Sequence, residues 1–240
     1  MYTQMGPPPV STIRQANAQA STIFLAKVFN WMAIGLGLTG LAAFVTANSL
    51  AMQQLIFGNR LLFYGLMFAE IGMVVYLSAR LQHISSQAAT GLFLAYSALN
   101  GVTLSAILLV YTMSSVAATF FITAGMFGAM AVYGMVTKRD LSAMGSFMVM
   151  GLVGMVIASL VNIFLGSPAI SWAISGIGVI VFTGLTAYDV QKITQMGAAG
   201  IMEQGEAAIH KVAIMGALAL YLDFINLFLS LLQFLGNRRD

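Results

Sequence analysis

Residues 212–235 read VAIMGALALYLDFINLFLSLLQFL, 24 positions with one charged side chain, Asp223. A helix rises ~1.5 Å per residue, so a run of this length crosses the ~30 Å hydrocarbon core of a bilayer. Six further runs of the same character precede it, at 28–50, 61–79, 88–110, 116–137, 142–165 and 169–188. Short polar separators lie between most of them, at 53–60, 80–87, 111–115, 138–140 and 166–168, with a longer one at 190–211. The runs do not alternate apolar and polar residues as barrel strands do, so helices are expected. This predicts an all-α integral membrane protein: a polar N-terminal arm at 1–27, a seven-helix transmembrane domain at 28–235 and a short polar tail at 236–240. The arm carries Pro7, Pro8 and Pro9 and lacks the apolar stretch of a signal peptide.

Composition agrees. Hydrophobic residues make up 60% of the 240, charged residues only 7%, and mean hydropathy is +0.92. A soluble domain needs about 25% charged residues to cover its surface, so this surface faces lipid. A soluble enzyme, a disordered chain, a coiled coil and a nucleic-acid binder are all excluded. The net charge of +3 comes from 10 basic and 7 acidic groups scattered between apolar runs, not from a basic patch. There is no cysteine and there are only two histidines, His83 and His210, which removes thiolate metal sites and disfavours haem. No resident cofactor is expected.

Orientation follows from the distribution of Lys and Arg. The N-terminal side collects Arg14, Lys27, Arg80, Lys138, Arg139, Lys192 and Lys211; the other side holds Arg60, Arg238 and Arg239. The N-terminus is therefore expected in the cytoplasm. The pair Arg238–Arg239 would suit a cytoplasmic C-terminus, which requires six crossings and a re-entrant segment; the length and apolarity of the last run favour seven. Short loops and the absence of cysteine point to a prokaryotic inner (plasma) membrane.

The residues that carry chemistry are the acids that the apolar runs retain. A charge at mid-bilayer costs about 2.5–3.5 kcal/mol on insertion scales, so such groups usually pair, bind or conduct. Glu70 lies near the middle of the second span, with Arg80 at the cytoplasmic end of the same run. Asp189 closes the sixth run, at the end of a polar line through Thr183 and Thr186 that Lys192 continues. Asp223 sits near the centre of the last span, and Asn226, Ser230 and Gln233 follow at spacings of three, four and three. That spacing draws one polar stripe, which should face the bundle interior or a wet cavity. Ser97, Asn100 and Thr103 form a weaker stripe in the third span. Plain structural roles compete with each of these: a hydrogen-bonded packing acid for Glu70, a headgroup-level carboxylate for Asp189, an interfacial anchor for Arg80 and an internal hydrogen-bond network for Asp223.

Two acids close together inside a bundle cannot both ionise cheaply and titrate as one unit. A nearby arginine opposes their protonation. Carboxylate oxygens are also the ligands that hard cations such as Ca²⁺ prefer. An acid-lined cation path with a proton-sensitive gate is the function class these residues favour.

The sequence Leu220-Tyr221-Leu222-Asp223-Phe224-Ile225-Asn226-Leu227-Phe228, followed by Leu231-Leu232, closely resembles the last-helix signature of the transmembrane Bax inhibitor motif family. Phe182-Thr183-Gly184 and Tyr188-Asp189 resemble its sixth helix, and Glu70 and Asn100-Gly101 fit its second and third. The resemblance runs from about Arg14 to Phe234. It implies a seven-helix bundle with the last helix at its centre, acting as a pH-sensitive calcium leak rather than as an enzyme. It implies a di-aspartyl sensor at Asp189 and Asp223 and an arginine latch near Arg80. Glu70, Asn100, Asn226 and Ser230 would form the polar lining, and Asp189, Asp223 and Glu70 would be transient Ca²⁺ ligands. The implied partners are the lipid bilayer, calcium ions and protons.

Other readings stay open on the sequence. A proton-coupled carrier uses similar acids, although no internal repeat is evident. A non-catalytic regulator that binds other membrane proteins needs no path at all. An intramembrane aspartyl protease would match Tyr188-Asp189, but its second aspartate requires Gly-x-Gly-Asp, where this chain has Leu220-Tyr221-Leu222-Asp223.

Overall fold

The computed structural model describes residues 10–239 apart from 82, without the side chains of 10–14, 16 and 202. The helices are α1 (Val10–Ala47), α2 (Leu50–Phe57), α3 (Arg60–Arg80), α4 (Ser86–Val110), α5 (Met113–Val136), α6 (Ser142–Leu165), α7 (Pro168–Ala198) and α8 (Glu206–Leu235). A single 3₁₀ turn at Ile201–Glu203 precedes α8. All but the short α2 are long and apolar enough to cross a membrane, which makes seven spans. The chain is a multi-pass membrane protein.

Local chemistry sets the ends. Asn59 accepts hydrogen bonds from the N–H groups of Leu61 and Leu62 to start α3, and Ser85, Thr112 and Ser167 cap α4, α5 and α7 in the same way. Such caps satisfy helix-end donors that no intrahelical carbonyl can reach. Gly166 closes α6 at φ +61°, and Gly200 and Gly205, at φ +82° and +85°, turn the chain from α7 into α8.

Two boundaries differ from the sequence expectation. The arm expected at 1–27 lies outside the described residues up to 9, and from Val10 onward it is already helix. Helix α7 does not end near Tyr188 but runs on to Ala198, so Asp189 lies inside a helix. The two corrections share a cause. Ser21 Oγ donates to the carbonyl of Thr194 at 3.0 Å, and a Cβ on Gly197 would collide with the backbone of Ser21. The start of α1 and the end of α7 pack against each other, with Phe24, Val190 and Ile193 buried, and each holds the other helical.

Helix α8 is the most buried span: 61% of its apolar window is enclosed, against 6% for α3 and none for α6. It packs against α1, α4, α5 and α7. Tyr221 illustrates why. It is fully buried on α8, its hydroxyl lies 2.6 Å from Thr39 of α1, and its ring meets the edges of Phe93 and Tyr96 of α4. Helix α3 packs on α4 and α6 on α7, both at the periphery.

Seven crossings put the chain ends on opposite faces, here called the N-face and the C-face. The tail agrees with four crossings by α5–α8. An antiparallel bridge joins Arg238 to Tyr111 in the α4–α5 turn, with Arg239 N–H donating to the Val110 carbonyl at 2.9 Å. The chain therefore ends beside the α4–α5 turn, on the C-face, as seven crossings require.

Candidate functional site

Asp189 and Asp223 come together where α7 meets α8. Their carboxyl groups face each other closely enough to interact directly. A carboxylate has no donor, so a hydrogen bond between the two groups requires a proton on one of them. Asp223 is 5% exposed, and its Oδ2 is enclosed with no hydrogen-bond partner among the described residues. Such an oxygen is costly to bury unless something binds it, by about 1–3 kcal/mol.

Close helix packing builds the pair. A Cβ on Gly134 of α5 would strike the carbonyl of Ala187, and one on Gly145 of α6 would strike the Tyr188 ring. These glycines let α5 and α6 press on α7 beside Asp189. Gln191, two residues beyond Asp189, is buried. Its amide donates to the Arg139 carbonyl at 2.8 Å, and its carbonyl oxygen accepts from Leu141 N–H at 2.9 Å. That clamp fixes the α5–α6 turn to α7. Sequence reading did not single out Gln191; a polar residue recurring on the buried side of a helix is the signal that could have found it.

Cavities approach the pair from both faces. One of about 350 Å³ opens between α3, α7 and α8; Ser78, Asp189 and Lys192 are its polar residues. The other, about 300 Å³, lies between α6, α7 and α8 and is edged by Ser159, Ser175, Asn226, Ser230 and Gln233. It shares Ser159, Ile163, Ile174 and Gln233 with a wider vestibule of about 820 Å³ on the C-face, where Asn162, Ser171 and Arg238 join the wall. Asp223 stands one turn from Asn226 on the same stripe. The acid pair thus sits between an N-face cavity and a C-face cavity.

The remaining expected residues lie elsewhere. Glu70 is half-buried and accepts a hydrogen bond from Thr103 Oγ1 at 2.8 Å, in the α3–α4 seam. It does not join Asp189 and Asp223: among the described residues, no three His, Cys, Asp or Glu side chains cluster as a metal site. The three acids expected as calcium ligands do not form one cluster. Asn100 is buried and donates to the Tyr96 hydroxyl at 2.9 Å, and it lines neither cavity. Arg80 is exposed at the end of α3 and makes no ion pair with Asp189 in this structure. The cation that acts on Asp189 is Lys192, one turn further along α7, whose ammonium lies 5.9 Å from the centre of the Tyr188 ring.

Comparison with known sequences decides the family. The profile of the family described as "inhibitor of apoptosis-promoting Bax1" matches residues 22–240. The chain belongs to this family. Relatives in it include the inner membrane protein YbhL of Escherichia coli, 51% identical over 97% of this chain and 98% of the relative. An uncharacterized protein of Borreliella burgdorferi is 50% identical over 90% and 93% of the two chains. An uncharacterized membrane protein of Streptococcus pyogenes is 36% identical over 89% and 92%. Membership in the Bax inhibitor family accords with the last-helix motif, which here occupies the buried core of α8.

Proposed function

We propose that the protein is a pH-sensitive cation leak, with Ca²⁺ as a transported ion and no catalytic role. The observation that carries this reading is the facing pair Asp189–Asp223 between cavities from opposite faces, with one Asp223 oxygen that no described group satisfies. With a proton between them, the two acids hold α7 against α8 and close the path. When the proton leaves, two like charges face each other in a low-dielectric interior and repel, which favours separation of the helices. A cation passing the opened pair finds carboxylate oxygens and then the Asn226–Ser230–Gln233 stripe. Two acids are too few for a resident calcium site, which takes 6–8 oxygens, and this suits a passing ion.

Arg80 can act as a latch only after a rearrangement that brings it to Asp189; Lys192 is already positioned. The preponderance of cations on the N-face supports placing that face in the cytoplasm of a bacterial cell, in the inner membrane. Single cysteines at 138 and 59, labelled with an impermeant reagent in intact cells, test the orientation: label at 59 alone is expected, and label at 138 alone would reverse it.

The functional test is Ca²⁺ flux from liposomes against pH. Asp189→Asn and Asp223→Asn should each move or abolish the pH midpoint. The double variant should add little, because residues that share one proton are not independent. Additive effects, or an unchanged midpoint in Asp189→Asn, would remove the pair from the mechanism.

A further inference from the structure

The vestibule on the C-face contains a fixed cation. Arg238 lines it together with Ser159, Asn162, Ser171 and Gln233, and among the described residues no acid belongs to that wall. The position of Arg238 is set by the α4–α5 turn. Tyr111 bridges to it and places its ring 5.9 Å from the guanidinium. The residues on either side are tied as well: Thr112 N–H donates to the Asn237 carbonyl at 3.1 Å, Asn237 N–H donates to Ser115 Oγ at 2.9 Å, and Arg239 N–H donates to the Val110 carbonyl at 2.9 Å. The tail is therefore a strap across the C-face that holds one positive charge at the opening of the 820 Å³ space. Gln233 belongs to the walls of both the vestibule and the inner cavity, so an ion entering from the C-face passes the guanidinium before it reaches Asn226.

We propose that Arg238 is a selectivity-determining residue: its strapped charge restricts cation entry from the C-face and restricts divalent ions more than monovalent ones. This rests on the conduction reading above. The physics is Coulomb repulsion at a wet mouth. A unit charge ~10 Å from the ion, in water at ~10 mM salt where the Debye length is about 30 Å, lowers the local concentration of a divalent cation roughly threefold and of a monovalent cation somewhat less than twofold. At 1 M salt the Debye length falls to about 3 Å and the effect disappears.

The test uses the full chain in neutral-lipid liposomes, with Ca²⁺ or K⁺ presented at the C-face. At ~10 mM salt, Arg238→Gln should raise Ca²⁺ entry about threefold and K⁺ entry somewhat less than twofold, with no change at 1 M. Arg238→Lys, which keeps the charge, should stay near the wild type, and Arg239→Gln, outside the vestibule wall, should raise Ca²⁺ entry less than Arg238→Gln does. Equal flux in Arg238→Gln and wild type at both salt concentrations would overturn the proposal. An increase that survives 1 M salt, or that Arg238→Lys reproduces, would also overturn it, because it would come from a loosened strap rather than a lost charge. A wild type that passes no cation at any pH would defeat the conduction reading itself, and this proposal with it. Wild-type flux governed by Asp189 and Asp223 but indifferent to Arg238 would defeat this proposal alone.

Discussion

Glu70 and Asp223 are both acids near the middle of apolar spans, and the fold treats them in opposite ways. Glu70 sits on α3, a peripheral helix, half-buried, and Thr103 of α4 supplies it with a donor. Asp223 sits on the most enclosed helix, faces a second acid and keeps an oxygen without a partner. A satisfied acid is a packing element. An acid that shares a proton with another acid is bistable, because adding or removing that proton changes the force between two helices. The difference lies in what stands opposite each acid, not in the acid.

The largest effect should separate the two in function. Asp223→Asn should cut the neutral-to-low pH ratio of Ca²⁺ flux by about tenfold, equivalent to about 1.4 kcal/mol in the gating equilibrium. Glu70→Gln should leave the ratio within about twofold, because it keeps an acceptor for Thr103. A Glu70→Gln protein that loses its pH response would erase the distinction.

Packing around the two acids should differ as well. Gly134 presses on Ala187, two residues before Asp189, whereas Gly72, two residues after Glu70, has nothing within 4 Å of an added Cβ. Gly134→Ala should destabilise the protein by about 1–3 kcal/mol through overpacking. Gly72→Ala should change stability by less than about 0.5 kcal/mol. Thermal unfolding in detergent reads both. A smaller effect is expected for Thr103→Val, which removes the donor to Glu70; hydrogen bonds between membrane helices average about 0.6 kcal/mol in such measurements.

The smallest effect calibrates the comparison with an acid in water. Asp140, fully exposed in the α5–α6 turn, accepts from Ser142 N–H at 2.9 Å, and the Ser142 hydrogen bonds hold its carboxyl below the ordinary aspartate range. A lowered folded-state value means that its contribution is present above the ordinary aspartate value and is lost as pH falls through the lowered one. Hydrogen exchange at the start of α6 should therefore quicken only at that acidic end, and Asp140→Asn should flatten the dependence. A change near neutral pH would assign the effect to another group.

Most of the architecture could be read from the sequence. Seven long apolar runs and the Asp223–Asn226–Ser230–Gln233 spacing gave seven spans and the face of α8 that lines a cavity. Both acids of the pair were visible because lipid makes every retained acid conspicuous. The end of α7 was not, because Gln191 and Lys192 interrupt the hydropathy there while Val190 and Ile193 keep packing on α1. Thr103 as the partner of Glu70, and the failure of Arg80 to reach Asp189, depend on how separate helices lean on one another. No spacing within a single run encodes that.

The central claim is that Asp189 and Asp223 hold one proton between them. Infrared difference spectroscopy of the reconstituted protein, titrated from acidic to alkaline pH, observes that proton through the C=O stretch of a protonated carboxyl group. The account predicts one carboxylic-acid band that vanishes on titration and is displaced or lost in both Asp189→Asn and Asp223→Asn, while Glu70→Gln leaves it in place. A titrating band that survives either aspartate substitution unaltered, or that only Glu70→Gln removes, would contradict it.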